Sequence, residues 1–264
     1  FWLKITIMNI GFIGTGKITT SVIQGLFRSN IKLKQILISE RNKKNSLALS
    51  KKFKKVKVVK DNQEIIQRSS WVFIAVVPTV AKKILKELTF KKNQTVVSFV
   101  STLNMTYLKK TLRPATSIVK AAPLPTIASK LGPIILFPKN KKVTNFFNHL
   151  GIAIVANNEK ENNHLWTMTS TMATYFEYCN TLENWLVKRK VSSAKAKDLV
   201  ASLMFGLSHS MLLSKSKTKE LVTDYQTKKG INEELLKRLK QEKIFSSIDR
   251  NLTKIFDRIK KAND

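Results

Sequence analysis

The 264-residue sequence contains one cysteine, Cys179, so neither an intrachain disulfide nor a cysteine-cluster metal site can form. That economy fits a reducing compartment, and we read the protein as cytoplasmic. Cys179 sits in an apolar, helix-like stretch and reads as core packing rather than as a nucleophile. Long hydrophobic runs are also missing. The apolar stretch from Trp71 to Pro78 is far too short to span a bilayer, so no membrane partner is expected. The opening Phe1–Ile7 has neither a charged n-region nor a small-residue cleavage site, so it is not expected to be a secretory signal. Met8 stands directly before the first strand-like run, so residues 1–7 read as an upstream extension or a fragment edge. No GxSxG, HExxH or Walker sequence occurs. His149, His164 and His209 lack metal-ligand spacing and read as structural or surface residues, so no metal site is expected.

Acidic residues are scarce. Seventeen Asp and Glu face 48 Lys and Arg, for a net charge of +31. Such a balance raises the question of a nucleic-acid partner. The basic residues, however, are 40 Lys against 8 Arg, spread along the whole chain. Surfaces that read bases or clamp phosphates favour Arg and aromatic platforms. We therefore read the charge as compositional bias and do not expect nucleic-acid binding. Its field should still draw in anionic ligands.

What is present is a globular chain, 43% hydrophobic, with enough length for one large domain or two modest ones. Strand-like and helix-like segments alternate through the first 155 residues. Strands are predicted at Ile10–Ile13, Gln35–Ser39, Val56–Val59, Trp71–Val76, Thr95–Val100, Ser117–Ala121, Ile134–Phe137 and Ile152–Val155. Helices fall between them, including Lys17–Ser29, Asn42–Phe53 and Val80–Leu88. This order predicts a mostly parallel, helix-covered sheet. Beyond about Asn158 a 3.6-residue period takes over, with helices expected at Glu159–Lys190, Ser193–Ser214, Lys217–Tyr225, Glu233–Lys240 and Ser246–Lys261. The fold class is α/β: a Rossmann-type dinucleotide-binding domain (residues 8–157), then an all-helical dimerisation and substrate domain (residues 158–264). Helices this apolar, with little sheet to lean on, commonly bury their faces against a second subunit, so a homodimer or higher homo-oligomer is expected.

The chemistry-bearing segment is Ile13-Gly14-Thr15-Gly16-Lys17-Ile18, where a strand meets a glycine turn and then a helix. Gly14 permits the sharp turn and Gly16 lets backbone approach a pyrophosphate, at which the helix points free N–H groups and its positive dipole end. Thr19 stands where the fingerprint carries Gly or Ala. The second strand leads into Ser39-Glu40-Arg41-Asn42-Lys43-Lys44, where Glu40 suits the ribose hydroxyls of NAD, and Ser39, Arg41, Lys43 and Lys44 suit the 2′-phosphate of NADP. The balance favours NADP, with NAD possible. Ala75-Val76-Val77-Pro78 closes the fourth strand and would line the nicotinamide side of the crevice. Ala121–Thr126 reads as a proline-rich loop, either a rigid wall for substrate or a connector.

These segments, with the order of the two domains, resemble the pyrroline-5-carboxylate reductase family from Met8 to about Ile259. Gly11–Ile18, Ala75–Pro78 and Val96-Val97-Ser98 carry the likeness best. The resemblance implies reduction of a cyclic imine, pyrroline-5-carboxylate, to proline by NAD(P)H. A protonated imine is already electrophilic, so little acid–base machinery is required, and no catalytic residue is assigned. The family's Met-Pro-Asn-Thr-Pro loop reads Ala122-Pro123-Leu124-Pro125-Thr126 here. Its Ser-Gly-Ser-x-Pro segment reads Thr169-Ser170-Thr171-Met172-Ala173, and its Pro-Gly-Gly-Thr loop corresponds to Thr227-Lys228-Lys229-Gly230-Ile231. On this likeness Pro123, Thr171, Thr227, Lys228, Lys229 and Gly230 are the candidate substrate residues, with a lysine as a replacement carboxylate anchor. Three alternatives stay open: another Rossmann oxidoreductase of the β-hydroxyacid or imine type, a non-catalytic nucleotide-binding homologue and, least favoured by the Lys-dominated charge, a basic nucleic-acid-binding protein.

Overall fold

The computed structural model describes residues 8–263, so Phe1–Ile7 lies outside the described residues. Eight strands form one sheet. They are β1 (Met8–Ile13), β2 (Leu33–Ser39), β3 (Val56–Val59), β4 (Trp71–Ile74), β5 (Thr95–Ser98), β6 (Ser117–Pro123), β7 (Pro133–Phe137) and β8 (Ile152–Val155), in the order β3-β2-β1-β4-β5-β6-β7-β8. All pairings are parallel except β6 with β7. The β6–β7 connection is too short for a crossover helix and holds only a 3-10 turn, Pro125–Ser129, so the chain reverses there. Helices α1 (Lys17–Arg28), α2 (Lys43–Lys52), α3 (Asn62–Arg68), α4 (Pro78–Lys86), α5 (Met105–Thr111) and α6 (Lys141–Asn148) link the remaining strands.

The alternation of side chains along each strand builds two cores. Ile10 and Phe12 of β1, Trp71 and Phe73 of β4 and Val97 of β5 face one side, where Val22, Ile23 and Leu26 of α1 and Phe146 and Phe147 of α6 cover them. Ile13, Val72, Ile74 and Val96 face the other, under Ile65, Ile66, Ala81, Leu85 and Leu108. Phe12 and Phe73 stack at 4.7 Å between ring centres. Asn42, Asp61, Asn104 and Asn140 cap their helices by accepting from backbone N–H groups.

The remaining helices are α7 (Glu159–Met168), α8 (Thr171–Val187), α9 (Ser193–Leu213), α10 (Thr218–Asp224), α11 (Ile231–Gln241) and α12 (Ile244–Asn263). The chain forms two compact units. One takes the sheet, its helices, α7 through Thr167 and the end of α12 from Phe256. The other holds Met168–Ile255. Trp166 of α7 packs with Ala122 and Ile135, which ties that helix to the sheet unit. In the helical unit α8 packs on α9, yet α8 has no fully buried residue, and Trp185, Leu199, Leu203 and Leu207 are exposed. Among the described residues no helix is long and apolar enough to cross a membrane.

Four expectations change. The single helix expected over Glu159–Lys190 breaks at Thr169-Ser170, where the Thr171 hydroxyl donates to the Met168 carbonyl and competes with the helix ladder. Strand β4 stops at Ile74, and Pro78 opens α4 instead of closing the strand, because a missing N–H costs nothing at the first helical position. Ala122 and Pro123, read as loop, are the end of β6. Cys179, read as core, is half-buried on α8.

Candidate cofactor cleft

The sheet order reverses direction beside β1: β2 lies on one side and β4 on the other. Such a switch point opens a crevice at the carboxyl ends of the strands. Here it is a cleft of about 540 Å³, a normal size for a ligand site. Gly14, Thr15 and Gly16 form its floor. Arg41 lines one side, and Ala75, Val76 and Val77 line the other.

The turn is built without slack. Gly14 has φ +102°, and a Cβ there would sit 2.4 Å from the Ala75 carbonyl oxygen. Only glycine is comfortable with both conditions. The Gly14 N–H donates to the Ser39 hydroxyl at 2.9 Å, and the Thr15 hydroxyl donates to the Ser39 carbonyl at 2.6 Å. Asn45 of α2 donates its amide to the Thr15 carbonyl at 3.0 Å. Thr19, the departure from the fingerprint, is fully buried and donates to the Gly14 carbonyl at 2.8 Å, so its extra bulk locks the turn from beneath.

Gly16 differs from Gly14. Its φ of −84° is open to any residue, and a Cβ there would meet no protein atom within 4 Å. Nothing inside the protein requires glycine at this position. What a side chain would occupy is the space of the cleft in front of the first-turn N–H groups of α1, which helix geometry leaves without backbone partners. The residues present therefore fit a pyrophosphate-bearing cofactor.

The predicted cofactor residues divide accordingly. Gly14, Thr15, Gly16, Arg41, Ala75, Val76 and Val77 meet in the cleft. Lys17 is exposed at the start of α1, and Pro78 is exposed at the start of α4. Ile13 is fully buried in one core and Ile18 is packed against the other, so both shape the turn rather than line the cleft. Ser39 is also a supporting residue. It is 4% exposed and its hydroxyl is engaged by the Gly14 N–H and the Thr15 side chain. Lys43, one of the two lysines weighed for the 2′-phosphate, lines the cleft beside Arg41, whereas sequence reading missed Asn42, which also lines it, and Asn45, which braces it. Proximity to Arg41 was the available signal. Arg41 and Lys43 are the cleft's charged lining residues, and Glu40 is not among its lining. The wall is thus cationic where the second strand ends, as a 2′-phosphate requires.

The candidate substrate residues lie on separate elements. Pro123 is buried at the end of β6 in the sheet unit. In the helical unit Thr171 lines a groove of about 460 Å³ with residues of α12. Thr227–Gly230 instead forms the turn that opens α11: the Gly230 N–H donates to the Thr227 carbonyl at 2.7 Å and Gly230 is the cap residue. Lys229 holds φ +58°, a conformation that favours glycine, and its N–H donates to Glu233 at 2.6 Å. Of the histidines, His164 stacks on Phe256 at 4.2 Å. Among the described residues no cluster of His, Cys, Asp or Glu is placed to hold a metal ion.

One charged residue escaped sequence reading altogether. Lys120 of β6 is fully buried, 3.6 Å from the Glu159 carboxylate and with its ammonium 5.6 Å from the centre of the Trp166 ring. Burial lowers its pKa from the ordinary 10.5, opposed by the neighbouring Glu159 charge.

Comparison with known proteins follows the same division. Residues 9–104 match the family described as NADP oxidoreductase coenzyme F420-dependent, and residues 162–262 match the pyrroline-5-carboxylate reductase dimerisation family. The chain is 29% identical to pyrroline-5-carboxylate reductase 3 of Danio rerio over 118 residues. That stretch is 44% of this chain and 41% of the relative's length. The fold is similar to a 1-pyrroline-5-carboxylate reductase from Streptococcus pyogenes (TM-score 0.83, 19% identity, 97% of this chain and 99% of that one). It is equally similar to a pyrroline carboxylate reductase from Plasmodium falciparum solved with NADP bound (TM-score 0.85, 19% identity, 97% and 98% covered). With the nucleotide-type sheet first and a region matching the reductase dimerisation family second, the chain is similar to pyrroline-5-carboxylate reductases in the order of its two regions and in fold.

Proposed function

We propose that the protein reduces pyrroline-5-carboxylate to proline with NADPH, in the cytoplasm. The observation that carries this reading is the pairing, in one chain, of a glycine-floored cationic cleft with the dimerisation region of this reductase family. When bound, NADPH supplies a hydride to the carbon of the C=N bond. The first-turn N–H groups of α1, in front of Gly16, hold the pyrophosphate. Arg41 and Lys43 hold the 2′-phosphate, in a wall without a competing carboxylate. Ala75–Val77 give the nicotinamide side an apolar edge. The field of +31 draws in the anionic cofactor.

The substrate carboxylate falls to the helical region, residues 158–264. Thr171, Thr227, Lys228, Lys229 and Gly230 are the candidates there, with Lys228 or Lys229 as the cationic anchor, and Pro123 is the candidate from the sheet unit. The exposed apolar faces of α8 and α9 support a homodimer built through this region. The substitutions in these loops favour testing related cyclic imines beside pyrroline-5-carboxylate. The test is oxidation of NADPH, followed at its nicotinamide absorbance, on addition of pyrroline-5-carboxylate to the purified chain. Loss of the absorbance with equal formation of proline supports the reading. Tight NADPH binding without turnover of any cyclic imine replaces it with a nucleotide-binding homologue.

A further inference from the structure

Lys120 is the only charged side chain among the described residues that is fully buried. Its place in the sheet is informative. Ile74 of β4 pairs with Ser98 of β5, and Ser98 pairs with Lys120 of β6. The three residues form one row across the sheet, the last row before β4 releases Ala75–Val77 into the cleft. Strands are about 4.8 Å apart, so Lys120 lies roughly 10 Å from β4. It lies on the side away from β2, the strand that leads to Arg41. A dinucleotide with its adenosine end at β2 thus puts its reactive end toward β5 and β6.

The partners of Lys120 are as telling. Glu159 is the first residue of α7, and the carboxylate oxygen that faces Lys120 also accepts from the backbone N–H of Met105 at 2.9 Å. Met105 opens α5. One carboxylate therefore joins three elements: β6 through Lys120, α5 through its amino end, and α7 through its own first turn. The buried face of α7 is otherwise poor in apolar area. Asn162, Asn163, Trp166 and Thr167 follow Glu159 at helical spacing, and Trp166 is the single apolar member. The side-chain amide of Asn162 is buried without a hydrogen-bond partner. Hydrophobic contact fixes such a helix weakly in position, and a buried ion pair is a poor source of stability but a strong source of defined geometry.

We propose that Lys120 and Glu159 are positioning residues for the reduction, a buried clamp that fixes the amino ends of α5 and α7 against the carboxyl edge of the sheet beside the reacting groups. The placement beside the reacting groups rests on the proposed function; the clamp itself does not. Two consequences separate it from a general contribution to folding. Loosening the clamp frees the Met105 N–H, and it disturbs the reacting geometry without touching the pyrophosphate floor or Arg41.

The experiment compares the full-length wild type with Lys120→Met, Lys120→Arg, Glu159→Gln and the Lys120→Met/Glu159→Gln double variant. Amide hydrogen exchange at Met105, the NADPH dissociation constant, and kcat and KM for pyrroline-5-carboxylate are measured for each. Glu159→Gln is nearly isosteric and its side chain is 31% exposed, so it carries the test if Lys120→Met fails to fold. In Lys120→Met and Glu159→Gln, Met105 should exchange about tenfold faster or more. Their kcat should fall by about tenfold or more. NADPH affinity should stay within about twofold of wild type, and the double variant should be no slower than the worse single one. Lys120→Arg, which keeps the charge, should recover part of kcat. Unchanged Met105 protection in Glu159→Gln overturns the clamp. Lost protection with full kcat, or NADPH affinity falling in step with kcat, overturns the positioning role. Should the wild type reduce no imine, the proposed function fails, and Met105 exchange alone still decides whether the clamp exists.

Discussion

Replacing Gly16 by valine separates the demands of the fold from those of the ligand. The backbone at Gly16 is extended, φ −84° and ψ −170°, and an added Cβ meets no protein atom within 4 Å. Valine is a poorer cap than glycine, but the stability change should stay within about 1 kcal/mol. The branched side chain would stand in front of the first-turn N–H groups of α1. Each charge-assisted bond lost there is worth about 1.5–3 kcal/mol, so losing one or two weakens NADPH by roughly 10–10⁴-fold. Gly14→Ala is the contrasting control. Its φ of +102° and the 2.4 Å approach to the Ala75 carbonyl force the turn to move, costing about 3 kcal/mol or more in stability. Calorimetric titration with NADPH and thermal melts of both variants give the two readouts. A Gly16→Val protein that melts like wild type and binds NADPH with wild-type affinity would refute the placement of the pyrophosphate.

Three further outcomes are expected. Arg41→Ala should weaken NADPH by about 1–3 kcal/mol while leaving NADH nearly unchanged, because only NADPH carries the 2′-phosphate; equal losses in titrations of both cofactors would remove Arg41 from that role. Lys229→Gly relieves a left-handed backbone that costs a non-glycine residue roughly 1–2 kcal/mol, partly offset by the entropy of glycine, so a melt should show stabilisation of about 0.5–1 kcal/mol and not a loss. Light scattering at low micromolar concentration should find an assembly larger than the 30.1 kDa chain, and Leu203→Asp on the exposed face of α9 should dissociate it; an active wild-type monomer would reject the shared helical region.

The sheet was legible because its signals are local. Val56–Val59 is a strand over the residues its β-branched run predicts, and Asp61 caps α3 as its side chain and position suggest. The glycine turn was legible because its demands are local: Gly14 answers one bend of backbone, and Gly16 leaves open the space in front of α1. What the sequence hid depends on contacts made at a distance. Ser39 has the hydroxyl and the position of a phosphate ligand, yet it is consumed by the Gly14 N–H twenty-five residues away. Lys120 reads as one of 40 lysines until β6 is placed inside the sheet and Glu159 arrives from α7. The break at Thr169-Ser170 is invisible to a 3.6-residue period, because it is made by a hydroxyl competing for one carbonyl. The substrate residues were named by resemblance to loops whose glycines this chain replaces, and local pattern says nothing of where such loops meet.

Incubating the purified protein with pyrroline-5-carboxylate and NADPH deuterated at the transferable position of the nicotinamide tests the proposed reaction at the bond that is made. Proline heavier by one mass unit, formed in step with cofactor oxidation and absent with Gly16→Val, is the expected result. Cofactor that is bound but never oxidised, or oxidised without label in proline, would contradict it.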